Sequence, residues 1–196
     1  TSPMPHTRSV SIGFFLGVGS RYETDEQGGA SHFIEHMLFK GTPTFGKGEI
    51  MRLVNKNGGV LNGFTWTDYT TYFESLPSDR LELALQIESD RMANAVFDAR
   101  EVDSQRTVII SEREGAENFP QFLLDEEVTA AAFKVHPYQH GVLGWKCDLQ
   151  AITRDDLYNH YHTFYTPNNA VAVAVGDFDA AWLLEKVAHY FGPVPA

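Results

Sequence analysis

Only one cysteine, Cys147, occurs in the 196 residues, so no internal disulfide can form and stability has to come from packing, with metal as the other source. That usage fits a reducing compartment and favours the bacterial cytoplasm over the periplasm or a mitochondrion. Basic residues are also scarce. Fifteen Lys and Arg stand against 26 Asp and Glu, a formal net charge of -11, which argues against nucleic acid or an anionic membrane as partner and favours basic or neutral substrates. No apolar run approaches the ~18 residues of a membrane span. Internal repeats and low-complexity segments are absent, as are an initiator Met, a charged n-region and an h-region. The chain runs from Thr1 directly into an apolar strand and stops at Gly192-Pro193-Val194-Pro195-Ala196, which reads as a linker. The expectation is one excised domain, truncated at both ends, over residues 1–196.

Against this background one stretch stands out, His32-Phe33-Ile34-Glu35-His36. On a helix His32 and His36 are i and i+4 and Glu35 is i+3 from the first, so all three project from one face. Two neutral imidazoles one turn apart can share a Zn²⁺, and a neighbouring carboxylate can take a proton from water that attacks a carbonyl. The order His-x-x-Glu-His is the inverse of the commoner zinc motif. Five residues alone are weak evidence, and context has to decide.

The periodicities supply that context. Ser9–Gly19 reads as a buried strand, and the motif helix runs from near Ser31 to Lys40, with Gly41 just past it. Helices are expected over Gly48–Lys56, from a Ser78 cap to about Ala95, over Asp98–Ala116 and over Phe122–Phe133. Two more are expected from a Thr153/Asp156 capping box through Tyr165 and over Ala180–Phe191. Val60–Trp66 and Tyr69–Leu76 read as a hairpin turning at Thr67-Asp68, and Ala170–Val175 as a central strand. The mixture favours α+β, a mostly antiparallel sheet with helices packed on one face. His160 and His162, at i and i+2, read as surface or capping residues, and His6, His140 and His189 likewise.

A catalytic zinc site usually takes three protein ligands. The Asp98–Ala116 helix offers Glu101, Glu112 and Glu114. With Val108 and Ile109 marking its buried face, Glu112 points toward the core and Glu114 toward solvent. A core-facing acid needs a cation or donors.

His32 to Thr42, the segment Asn57-Gly58-Gly59-Val60-Leu61-Asn62-Gly63-Phe64-Thr65, and a glutamate 76 residues after His36 together resemble the M16 metallopeptidases, nearest the processing-peptidase branch. Thr153–Gly176, with Tyr165, Pro167, Asn168 and Asn169, is similar to the later part of that family's first α+β domain. The resemblance implies a motif-bearing part over roughly 1–150 and the start of the family's following segment over 151–196. It implies that His32, His36 and Glu112 hold Zn²⁺ and that Glu35 activates water. It further implies that Asn62, Gly63, Phe64 and Thr65 lie on an edge strand to which a peptide substrate adds by β-augmentation. Gln105 departs from the pattern: the family commonly has a glutamate there, so the amide keeps hydrogen bonding and loses charge. Gly63 replaces a more usual alanine. Members pair two halves, so a second half or partner subunit, in a homo- or heterodimer, is expected to complete substrate binding. The alternative is a non-catalytic structural or peptide-binding subunit, which Gln105 favours.

Overall fold

In the computed structural model, which describes residues 1–196, five strands form one sheet in the order β1-β5-β2-β4-β3. These are β1 (Ser2–Pro3), β2 (Ser9–Leu16), β3 (Val60–Thr65), β4 (Thr70–Pro77) and β5 (Ala170–Gly176). All pairings are antiparallel except the short β1–β5 contact, where Ser2 lies beside Val175. Eight α-helices accompany it: α1 (Ala30–Leu38), α2 (Glu49–Lys56), α3 (Leu81–Asn94), α4 (Ala99–Ala116), α5 (Pro120–Ala132), α6 (Lys146–Ala151), α7 (Arg154–Phe164) and α8 (Ala180–Phe191). None is long and apolar enough to cross a membrane.

Strand alternation decides which face carries the core. Along β2, Val10, Ile12, Phe14 and Leu16 are buried while Ser9, Ser11 and Phe15 face outward. Ile12 pairs with Glu74 and Ala174, and Phe14 with Tyr72 and Ala172, so the inner face continues into β4 and β5. Helix α1 lies against this face, with Phe33, Ile34 and Met37 completely enclosed. β2 is therefore half-buried, a correction to the expected buried strand. Likewise β5 has Val171, Val173 and Val175 exposed, and its continuous apolar run does not denote burial on both sides.

One inward position on β4 carries a charge. Glu74 is buried beside Arg91 of α3, which also pairs with Glu88 and stacks over the rings of Phe39 and Tyr72. A cation between two buried carboxylates offsets their desolvation, which neither acid could sustain alone.

Boundaries follow local chemistry. Asp98 caps α4 by accepting from the N–H groups of Arg100 and Glu101, and Thr153 with Asp156 forms the expected capping box of α7. Ser78 does not cap α3. It opens a single 3₁₀ turn, Ser78–Arg80, that leads into the helix. The short α6 was not anticipated, since six residues carry too little periodicity to read.

Candidate metal centre

Helix α1 starts at Gly29, whose φ of 92° suits glycine, and the chain turns away after it at Gly41, φ 110°. Gly29 has no side chain with which to cap, so the buried carboxylate of Glu23 reaches back instead. It accepts the N–H of Gly29 at 2.8 Å and of Ser31 at 2.7 Å. Burial pushes the Glu23 carboxyl up to about 7, against the pull of those two bonds. Ser31 is held a second time, by His160 Nε2 of α7 at 3.2 Å from its hydroxyl oxygen. His160 is buried, which corrects its expected surface placement, and burial lowers its pKa to about 4.

The helix so fixed presents His32 and His36 with ring centroids 4.7 Å apart. Helix α4 crosses alongside and brings Glu112 Oε2 to 3.8 Å from His32 Nε2 and 3.6 Å from His36 Nε2. One ligand atom from each of the three residues lies within 4.8 Å of the others. Ligands placed tetrahedrally at zinc distances of about 2.0–2.2 Å stand about 3.3–3.6 Å apart. A small contraction of this triad would reach that spacing.

The donor set fits a cation. His36 Nδ1 lies 3.3 Å from Gln105 Oε1; because the amide oxygen only accepts, Nδ1 carries the proton and Nε2 offers its lone pair. His32 is kept neutral, its pKa lowered to about 3 by burial and then by His36. Its Nδ1 is buried without a hydrogen-bond partner, and Glu112 is too distant to accept a proton from its Nε2. The Nε2 atoms of both imidazoles and a Glu112 carboxylate oxygen thus converge with no lysine or arginine between them, an arrangement that a metal ion bound at those atoms would satisfy.

Glu112 itself does not face the core. The buried stripe of α4 is Val102, Gln105, Ile109 and Arg113, whereas Val108 is 46% exposed and Glu112 lies at the open margin of the site. Its side chain nevertheless reaches both histidines, because α4 crosses α1 at that turn. Glu101, half-buried, pairs with Lys47, and the exposed Glu114 with Lys146, so neither competes for the role.

Glu35 is buried, and burial raises its carboxyl pKa while a hydrogen bond from Thr65 opposes the rise. The Thr65 hydroxyl donates to Glu35 Oε2 at 2.7 Å. Strand β3 is at the sheet's edge, as the resemblance implies, with Asn62 and Phe64 exposed and Gly63 half-buried. Thr65 differs from them: its side chain is turned inward onto Glu35. The contributions of Glu23, His160 and Thr65 were missing from the reading of the sequence. Glu23 lies in a polar loop six residues before Gly29, with no local periodicity to mark it.

An α+β domain with an His-x-x-Glu-His helix facing a carboxylate from a second helix defines the class of inverzincin-type metallohydrolases. The chain belongs to the insulinase family, peptidase family M16: residues 1–145 match that family's model, and residues 151–196 match the peptidase M16 inactive domain. It is 32% identical over 192 residues to the zinc protease YmxG of Bacillus subtilis, covering 98% of this chain and 47% of that one. It is 30% identical over 195 residues to the mitochondrial-processing peptidase subunit beta of Lentinula edodes, covering 100% and 42%. The crystal structure of a protease from Helicobacter pylori superposes with a TM-score of 0.95 at 28% identity, over 98% of this chain and 47% of that one. The chain therefore spans about half the length of the relatives it matches.

Proposed function

We propose that this chain is the metal-carrying domain of a zinc-dependent endopeptidase that hydrolyses bonds in peptides or presequences. The observation that carries the reading is the convergence of His32, His36 and Glu112 beside the buried carboxylate of Glu35. Relatives named as zinc proteases, in Bacillus subtilis and Mycobacterium leprae, support zinc as the ion. His32, His36 and Glu112 would hold it, and Gln105 orients His36 from behind. Zinc bound there would supply Lewis acidity, polarising the scissile carbonyl and acidifying water.

The chain's own residues do the rest. Glu35, whose carboxyl burial pushes above the ordinary carboxylate range, takes the proton of the attacking water and later gives it to the leaving amine. A peptide laid along the free edge of β3 would gain backbone hydrogen bonds, with Asn62, Gly63 and Phe64 beside it. Relatives about twice as long support completion of the substrate site by a second half or by a partner subunit. The first half of the periplasmic protease PqqL from Escherichia coli, a separately determined structure, matches this chain with a TM-score of 0.85.

The non-catalytic reading rests on Gln105 alone. Since that amide accepts from His36, the position still orients a ligand, which favours the enzyme.

In the complete protein, Glu35→Gln should keep about one zinc per chain and lose peptide hydrolysis, whereas Glu112→Gln should lose zinc. Undiminished cleavage by the Glu35→Gln protein would remove Glu35 from the reaction. Full zinc occupancy in the Glu112→Gln protein would break the three-ligand assignment.

A further inference from the structure

Thr65 closes the edge strand and touches the base at the same time. As the last residue of β3 it pairs with Thr70, and the next residue, Trp66, continues the hairpin by donating its N–H to the carbonyl of Tyr69. The turn is pinned from outside as well: Ser20 N–H donates to the Trp66 carbonyl and Arg21 N–H to the Thr67 carbonyl. Gly19 makes this approach possible, because a Cβ there would lie 2.1 Å from the Trp66 carbonyl oxygen. Backbone bonds therefore fix Thr65 on both sides.

Strand alternation turns its side chain, like that of Leu61, toward the helices, where the hydroxyl meets Glu35 Oε2 at 2.7 Å. Glu35 has a terminal carboxylate torsion that is soft by itself. A general base has to stay within hydrogen-bond reach of the proton it takes, and reorientation at the moment of reaction costs rate. A hydroxyl held by a sheet ladder is the kind of anchor that removes this freedom.

We propose that Thr65 is a positioning residue: its hydroxyl sets the orientation of the Glu35 carboxylate and couples the base to the edge strand that receives the peptide. This rests on the assignment of Glu35 as base in the preceding section. A threonine that merely fills space would be replaced without loss by valine, which has the same shape and no hydroxyl. A positioning threonine would be replaced without loss by serine.

The experiment compares Thr65→Val, Thr65→Ser and Glu35→Gln in the complete zinc-loaded protein, using an unstructured fluorogenic peptide, with zinc content measured for each. Thr65→Val is expected to lower kcat ~10–100-fold with KM and zinc content unchanged, and Thr65→Ser to stay within about threefold of the parent. In crystals of metal-free Thr65→Val protein the Glu35 carboxylate should leave its present orientation. Should the valine variant fail to fold, Thr65→Ala removes the hydroxyl without added bulk and takes its place. Parental kcat in the variant lacking the hydroxyl overturns the proposal, as does a serine variant equally impaired or a Glu35 side chain that does not move. If Glu35→Gln is inactive while Thr65→Val is not impaired, Thr65 alone loses its role; if Glu35→Gln cleaves at the parental rate, the base assignment falls first.

Discussion

His36 Nδ1 lies 3.3 Å from the side-chain oxygen of Gln105, and that one contact decides which nitrogen of His36 faces Glu112. Outer hydrogen bonds of this kind fix the tautomer and raise the basicity of a metal-binding imidazole. Gln105→Leu should therefore weaken zinc binding ~10–100-fold, measured by competition with a chromophoric chelator. Gln105→Glu keeps the acceptor and adds charge, and should bind at least as tightly as the parent. Equal affinity in the leucine variant would deprive Gln105 of its orienting role.

The N-terminus of α1 depends on a residue outside it. Glu23→Ala leaves the buried N–H groups of Gly29 and Ser31 without their acceptor, at a cost of about 2–4 kcal/mol in denaturant unfolding. Amide exchange at those two positions should accelerate in the same variant. Unaltered exchange would mean that α1 does not need the cap.

Acid should destabilise the fold partly through His160. Its folded pKa of about 4 lies below the ordinary 6.5, so as pH falls the unfolded chain takes the proton first. The stability that neutral His160 provides is complete above 6.5 and is lost as pH falls toward 4, by up to about 3 kcal/mol. In His160→Gln protein, where the amide can still meet Ser31, this share of the pH dependence should vanish. The measurement is the difference in unfolding free energy between variant and parent at pH 7 and pH 5.

Arg91 sits between Glu74 and Glu88, all three buried. Burial and the Glu88 carboxylate both push the Glu74 carboxyl up, and Arg91 opposes them. Arg91→Met would leave two buried acids without a cation and should cost about 3–5 kcal/mol in urea unfolding. Replacing all three residues together with apolar ones should cost far less.

The fold class was legible from periodicity, because strands that alternate and helices that repeat every three to four residues announce themselves locally. The capping box at Thr153 and Asp156 is of this kind, whereas the one-sided burial of Val10, Ile12, Phe14 and Leu16 on β2 emerged only from the structure. Burial was less legible: the run from Ala170 to Val175 is apolar throughout, yet only tertiary packing determines that its valines face outward.

The candidate metal site divides in the same way. The sequence by itself determined that His32, Glu35 and His36 share one helical face, since their spacing leaves a helix no other choice. It also selected Glu112, although by way of a buried face that includes Val108, which is in fact exposed. Only the tertiary structure decided that α4 crosses α1 where Glu112 can reach both imidazoles, that Gln105 meets His36, and that Thr65 holds Glu35. Those contacts join residues 30 to 80 positions apart, and no local period encodes the angle at which two helices and an edge strand meet.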